Sequence, residues 1–272
     1  MTTATPASPT PTVHASKLRA DPSRLNEVFD RLGARVATGA LPAAAVAIGD
    51  ADGEIASKIF PAADKPFTRD SAFFLASVTK PIFATAFMTL VEEGRIDLYQ
   101  PVEGLLPEFT ADKDARKAGV TWWHLLTHTS GVPDVSPEVI RRTRPSATRM
   151  TEMTLAAPLV SEPGTRYEYC TATFYLLARA MERVSGLTYA RYLQERVLDP
   201  LGMESTFDAR TSRRPIVAVQ GVGVENRLVR FLIVRYLAGT ALPGGGLFGT
   251  LDDLLRFGAA MIRPVDGRVP IN

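Results

Sequence analysis

Cysteine and histidine are scarce in this sequence, and their scarcity excludes several kinds of site. Of the 272 residues, one is cysteine and three are histidine. The single cysteine, Cys170, allows no intrachain disulfide and no thiol-rich metal site. The histidines, His14, His124 and His128, do not have the spacing of zinc ligands. We therefore expect a protein that needs no metal ion and no other cofactor.

The chain also has no excess of charge of one sign and no long apolar run. Its 31 lysines and arginines nearly balance 29 acidic residues, for a formal net charge of +2, so the electrostatics do not favour nucleic acid as a partner. No apolar run reaches the roughly 18 residues of a membrane-spanning helix. Residues 1–20 are polar, rich in threonine and proline, and lack a secretory signal pattern. We interpret them as a disordered leader and expect a cytoplasmic protein with no membrane partner.

One apolar stretch, residues 73–94 (FFLASVTKPIFATAFMTLVEEG), predicts a buried helix with reactive residues at its start. Ser77 and Lys80 are three positions apart and share a helix face. Pro81 is tolerated only near a helix start, which places Ser77 at the positive end of the helix dipole. Gly94 is expected to end the helix. The spacing alone does not exclude an ordinary N-cap serine followed by a surface lysine.

Helices, one hairpin and several loops are predicted for the rest of the chain. Asp21 and Pro22 are expected to start a first helix, and a turn at Asp52 and Gly53 is typical of a hairpin over residues 43–60. Further helices are predicted from Thr121, before Gly186, from Thr188 to Pro200, and from Thr250. An irregular connection is expected at residues 98–109, an exposed loop at 132–150 and extended chain at 217–224.

Four stretches carry residue types that serve covalent catalysis: SVTK (77–80), HTSG (128–131), PGTRYEYCT (163–171) and GGGLFGTLDDL (244–254). Their order and spacing resemble the serine β-lactamase-like family, which includes class C β-lactamases, D-alanyl-D-alanine carboxypeptidases and family VIII carboxylesterases. The likeness covers most of the chain after the leader. It implies an α+β fold of the β-lactamase/transpeptidase type, with an antiparallel sheet flanked by helices and a mostly helical domain.

The resemblance also implies a division of the chain. Residues 21–272 are expected to form one incomplete β-lactamase-related domain. In it, 21–70 and 243–272 belong to the α/β part and 71–242 is mainly helical. Family members continue into further strands, one of which carries a Lys-Thr-Gly or His-x-Gly motif and half of the oxyanion hole. This sequence contains no such motif. We therefore expect the C-terminal strands of the sheet to be missing and the activity of this chain to be weak or absent.

The resemblance assigns roles to three residues. Ser77 is expected to be the nucleophile that becomes acylated, Lys80 its proton-handling partner and Tyr169 a second base. A serine hydroxyl needs an adjacent base to react. Either Lys80 is neutral and takes the proton, or Lys80 stays charged and stabilises Tyr169 as a phenolate; the sequence leaves both open. Tyr167 is the nearest rival of Tyr169, but the register from the Pro-Gly pair at 163–164 favours Tyr169.

Thr171 departs from the family pattern, which usually reads Tyr-x-Asn. Asparagine offers an amide donor towards a substrate carbonyl, whereas threonine offers one hydroxyl on a shorter arm. We expect Thr171 to bind substrate and the protein to be a carboxylesterase for small esters. Its partner is expected to be a small-molecule ester or amide substrate. One alternative is a β-lactamase or a penicillin-recognising enzyme like a D-alanyl-D-alanine carboxypeptidase. Another is an inactive remnant or a binding protein.

Other candidate nucleophiles fit less well. The sequence has no G-x-S-x-G motif, so an α/β-hydrolase elbow is not supported. Ser130 has no obvious base beside it and is expected to shape its turn. His124 and His128 are expected to be structural, with His128 ordering its own turn. Cys170 is interpreted as a small packing residue.

Overall fold

The computed structural model describes residues 21–61, 67–111, 114–217 and 242–262. The leader at 1–20 and all but the first residue of the extended stretch at 217–224 lie outside them. Within the described residues, two small antiparallel sheets accompany eight α-helices. This is the α+β arrangement that the sequence predicts.

The N-terminal helix and the hairpin form at the expected places. Helix α1 spans Pro22–Ala37, and the Asp21 carboxylate accepts a hydrogen bond from Ser23 N at its start. Strands β1 (Ala44–Asp50) and β2 (Gly53–Phe60) pair antiparallel. The hairpin loop lies one residue earlier than predicted, because Gly53 already pairs with the last residue of β1.

Helix α2 (Thr79–Glu92) forms the centre of the core. A 3₁₀ turn at Ala76–Val78 precedes it, so Ser77 lies just before the regular helix. Gly94 follows the helix with φ of +69°, the left-handed conformation expected for a terminating glycine. The apolar side chains of α2 that have no exposed surface are Ile82, Phe83, Ala86, Phe87 and Leu90.

The other elements surround α2. The helices are α3 (Trp122–Leu126), α4 (Pro137–Thr143), α5 (Ala147–Ala156), α6 (Thr173–Ser185), α7 (Tyr189–Leu193) and α8 (Leu251–Ile262). A π-helical turn, Gln194–Leu198, continues α7. Short 3₁₀ turns occur at Val102–Gly104, Pro107–Thr110 and Ala115–Gly119. Strands β3 (Phe73–Phe74) and β4 (Phe248–Gly249) form the second sheet.

The prediction of an exposed loop at residues 132–150 is wrong, because this segment contains α4 and the start of α5. Each helix begins with a serine N-cap: Ser136 Oγ accepts from Val139 N, and Ser146 Oγ accepts from Arg149 N. Serine caps of this kind favour helix starts even in a sequence rich in proline and arginine. Residues 98–109, predicted to be irregular, contain two 3₁₀ turns.

The second sheet brings the glycine-rich stretch to the front of α2. Phe73 pairs with Gly249, and Leu75 N donates to Leu247 O at 2.9 Å. Leu247 N in turn donates to the buried Thr79 hydroxyl. Residues 244–247 are thereby fixed beside the turn that carries Ser77.

The lengths and compositions of the described helices bear on membrane insertion. None of them combines the length and the apolar composition needed to cross a bilayer.

Phe87 and Met88 allow a matched test of the core. Phe87 has no exposed surface, whereas Met88, the next residue on α2, is 40% exposed. The Phe87→Ala variant should lose about 3 to 5 kcal/mol of unfolding free energy, because burial is lost and a cavity remains. The Met88→Ala variant should lose less than about 1 kcal/mol. Urea denaturation measures both, and equal losses would contradict the central position of α2.

Candidate active site

Ser77, Lys80 and Tyr169 meet at the front of α2. The phenol oxygen of Tyr169 lies 2.7 Å from Ser77 Oγ, and Lys80 Nζ lies 3.3 Å from Ser77 Oγ. Ser77 is exposed and Lys80 is buried. The structure therefore brings together the three residues that the resemblance assigns to catalysis, with the serine open to solvent.

The backbone before Ser77 adopts an unusual conformation. Ala76 has φ of +46°, in the left-handed region that costs a non-glycine residue about 1–2 kcal/mol. Such conformations persist where the surroundings fix them, and they are frequent at functional sites. Here the hydrogen bonds from Leu75 N to Leu247 O and from Val78 N to Leu75 O fix the turn. The direction in which Ser77 projects is thus set by backbone contacts.

Lys80 Nζ is surrounded by three acceptors. It donates to Gly244 O at 2.7 Å, and to Thr171 Oγ1 and Ser77 Oγ at 3.3 Å each. It also lies 4.8 Å from the centroid of the Tyr169 ring. An ammonium group has three N–H donors and no acceptor, so this arrangement matches its hydrogen-bonding capacity.

The surroundings of Tyr169 favour its ionised form. Burial alone raises the pKa of Tyr169, but hydrogen bonds to Lys80 and Ser77 and the charge of Lys80 outweigh burial. The net effect is a pKa of Tyr169 below its usual value near 10. A phenol with a lowered pKa beside a serine hydroxyl has the properties of a general base.

His128 holds the loop that carries Tyr169. Its carbonyl accepts from Glu168 N at 2.8 Å, its ring Nδ1 accepts from Cys170 N at 3.2 Å, and its ring centroid lies 4.6 Å from that of Tyr169. Burial, then the charge of Lys80, lowers the pKa of His128. The sequence predicts that His128 orders its own turn, and in the structure it also contacts the loop of Tyr169.

Asp134 was missed as a site residue. Its carboxylate accepts from Thr171 N and from Ala172 N, both at 3.0 Å. The sequence gives only two weak indications of this contact. Asp134 follows the HTSG turn, and the N-cap residue of α6, Ala172, has no side-chain acceptor. The carbonyl of Gly244 was missed as well, since a backbone acceptor leaves no trace in the residue types.

The remaining candidates make contacts other than those that join Ser77 and Tyr169. Tyr167 is 66% exposed and meets the His128 ring edge-on. Ser130 is buried and accepts from Val132 N within its turn. Cys170 is buried, and burial raises the pKa of its thiol to about 11. His124 completes a capping box with Thr121 at the start of α3.

The part of the chain that the structure describes contains no group of three or more His, Cys, Asp or Glu side chains placed to hold a metal ion.

Comparison with known proteins identifies the family. The Beta-lactamase family model matches residues 26–269. The chain therefore belongs to the beta-lactamase family, a family of serine hydrolases that includes esterases.

Two curated relatives and one solved structure illustrate this membership. Esterase EstB of Burkholderia gladioli is 32% identical over 93% of this chain and 73% of its own length. The D-alanyl-D-alanine-carboxypeptidase/endopeptidase AmpH of Escherichia coli K12 is 26% identical over 69% of this chain, and the match spans only 48% of AmpH. The structure of EstCE1, a hydrolase with promiscuous acyltransferase activity, has a TM-score of 0.71 over 86% of this chain and 71% of EstCE1. At 23% identity, that likeness shows the fold alone.

Gly244 offers a test of the Lys80 contact. A Cβ at this position would lie 3.1 Å from Phe174 and 3.3 Å from Thr171. The Gly244→Ala variant should therefore shift the carbonyl that accepts from Lys80 and slow the reaction of Ser77 with a fluorophosphonate by roughly 10-fold. In the control Gly258→Ala, the new methyl meets nothing within 4 Å. Intact-protein mass spectrometry follows labelling, and equal rates for both variants would contradict the expectation.

His128 predicts a dependence of stability on pH. Because the folded protein lowers the pKa of His128, the unfolded chain binds a proton more readily between that pKa and about 6.5. The resulting stability is present above about pH 6.5 and is lost as the pH falls through the folded pKa. The His128→Asn variant should show a smaller fall in unfolding free energy between neutral and mildly acidic buffer. Burial also lowers the pKa of His124, so part of the dependence of unfolding free energy on pH remains in the variant. Identical slopes in variant and wild type would refute the assignment.

Proposed function

We propose that this protein hydrolyses small carboxylic esters through an acyl-enzyme on Ser77. The observation that carries the proposal is the position of the Tyr169 hydroxyl, 2.7 Å from Ser77 Oγ. Lys80 Nζ lies 3.3 Å from Ser77 Oγ as well. A nucleophile, a base and a cation at one point are the requirements for acyl transfer to serine.

Tyr169 is the proposed base, and Lys80 is proposed to stay charged. All three N–H groups of an ammonium have acceptors around Lys80. Of these acceptors, the carbonyl of Gly244 cannot donate, and it receives the shortest of the three hydrogen bonds, at 2.7 Å. The lowered pKa of Tyr169 supports the same assignment.

The reaction then has two stages. Ser77 Oγ attacks the ester carbonyl carbon while its proton passes to the Tyr169 oxygen. The carbon–oxygen bond to the leaving alcohol breaks, and Tyr169 returns the proton to that alcohol. A water molecule then attacks the acyl carbon while its proton passes to the Tyr169 oxygen. The bond to Ser77 Oγ breaks, Tyr169 returns the proton to Ser77, and the carboxylic acid leaves. Ser77 lies just before the first turn of α2, and the positive end of a helix favours the negative charge that develops in such a reaction.

Thr171 supports an ester rather than a β-lactam or peptide as the substrate. Its hydroxyl accepts from Lys80, and its methyl group faces Gly244. The side chain therefore has no amide donor for a substrate carbonyl. The similarity to esterase EstB points to the same substrate class.

Variants of the two tyrosines test the proposal. The Tyr169→Phe variant should lower kcat for p-nitrophenyl acetate by about 10²–10⁴-fold, since general-base catalysis contributes about that much. Tyr167→Phe, two residues away and exposed, should stay near the wild-type rate. Ser77→Ala should abolish both turnover and fluorophosphonate labelling.

Wild-type protein that labels at another serine would contradict the proposal. Stoichiometric labelling needs a single reaction at Ser77, so it is a more sensitive readout than turnover.

A penicillin-recognising enzyme is the second candidate, favoured by the similarity to AmpH. Turnover of nitrocefin faster than of p-nitrophenyl acetate, or stable acylation of Ser77 by penicillin, would support it. A protein that reacts with none of these reagents would support the third possibility, a remnant that binds a ligand without catalysis.

A further inference from the structure

The start of α6 is held by a residue from a distant loop. The first N–H groups of a helix need acceptors, which an Asp, Asn, Ser or Thr at the N-cap usually supplies. The N-cap of α6 is Ala172, which has no acceptor. Asp134, 38 positions earlier, accepts from Ala172 N with Oδ1 and from Thr171 N with Oδ2. A carboxylate at this position also complements the helix dipole.

This contact lies beside the reacting groups. Thr171 contacts Lys80 Nζ at 3.3 Å, and Tyr169 is two residues earlier in the same loop. A shift of the backbone at Thr171 would therefore move the phenol and the hydroxyl relative to Ser77. Displacements of about 1 Å at a reacting group can cost about 10²-fold in rate.

The loop that carries Asp134 is itself fixed. Gly131 O accepts from Val160 N at 2.8 Å. Gly131 has φ of +75°, and a Cβ there would lie 2.3 Å from Ser161 O, so only glycine fits this close approach. Asp134 Oδ1 also accepts from Val135 N at 2.9 Å, which orients the carboxylate.

We propose that Asp134 is a positioning residue for the reaction at Ser77. By accepting from the N–H groups of the two residues just before α6, its carboxylate keeps Tyr169 within hydrogen-bond distance of Ser77. This proposal rests on the proposed function, because it assumes that Tyr169 acts on Ser77.

The charge of Asp134 distinguishes positioning at the site from a general structural role. Among the described residues, the titratable groups near the Tyr169 phenol are Lys80 of α2, Asp134 and the neutral His128, whose ring is tilted against that of Tyr169, whereas residues 244–247 contribute none. The charge of Asp134 raises the pKa of Tyr169, and that of Lys80 lowers it. Removing the carboxylate charge should therefore lower the pKa of Tyr169 further.

Three variants separate these effects. Asp134→Asn keeps one carbonyl acceptor but loses the charge and the second acceptor. Asp134→Ala loses both acceptors. Ser136→Ala, two residues away, is the matched control, because it also removes a side-chain acceptor for a helix N–H but has its partner in α4.

The expected results cover structure, ionisation and rate. Amide hydrogen exchange across residues 168–172 should accelerate by at least 10-fold in Asp134→Ala and less in Asp134→Asn. The pKa of Tyr169, from ultraviolet difference titration against Tyr169→Phe, should fall in Asp134→Asn, because the carboxylate charge that raises it is removed. Its kcat should fall by about 10-fold, and that of Asp134→Ala by about 100-fold, with KM changing less than about twofold. Ser136→Ala should change none of these.

The outcomes distinguish this proposal from the one it rests on. Unchanged amide exchange and unchanged Tyr169 pKa in both Asp134 variants would overturn the positioning role, even in an active enzyme. A change in kcat matched by Ser136→Ala would do the same, since it would indicate general loss of structure. Wild-type protein whose Ser77 does not react would overturn the proposed function, and with it the catalytic role of Asp134, whatever the exchange data show.

Discussion

The contact between the Tyr169 phenol and the Ser77 hydroxyl is the interaction on which the rest of the site depends. The two residues are 92 positions apart, and their oxygens lie 2.7 Å from each other. Such a contact requires a rigid helix on one side and a fixed loop on the other. The buried face of α2 provides the first, and the hydrogen bonds of His128 and Asp134 to the tyrosine loop provide the second.

Lys80 links these two sides electrostatically. A buried cation is costly unless it is hydrogen-bonded, and the partners of Lys80 come from three separate segments. Ser77 lies at the start of α2, Thr171 in the tyrosine loop, and Gly244 in the glycine-rich stretch. The cation therefore holds the three segments together as well as lowering the pKa of Tyr169. In our account, the arrangement that solvates Lys80 is also the arrangement that activates Ser77.

The sequence predicts the parts of the fold that have local causes. The burial of α2, its termination at Gly94 and the caps at Asp21 and Thr121 follow from residue types at fixed spacing. The motif register also predicts that Tyr169, rather than Tyr167, faces Ser77.

Contacts between distant segments have no such signal. The carbonyl of Gly244 is a backbone group, and Asp134 binds the backbone just before a helix 38 positions away, so neither follows from local patterns. Two serine N-caps mark the helices at 137–143 and 147–156, but the prolines and arginines around them are more typical of a loop.

The central claim is that the reaction forms an acyl-enzyme. Its most direct test is acid quenching of the protein during turnover of a slow ester, followed by peptide mass spectrometry. The account predicts that the acyl mass is found on Ser77, and an acyl group on any other residue would contradict it.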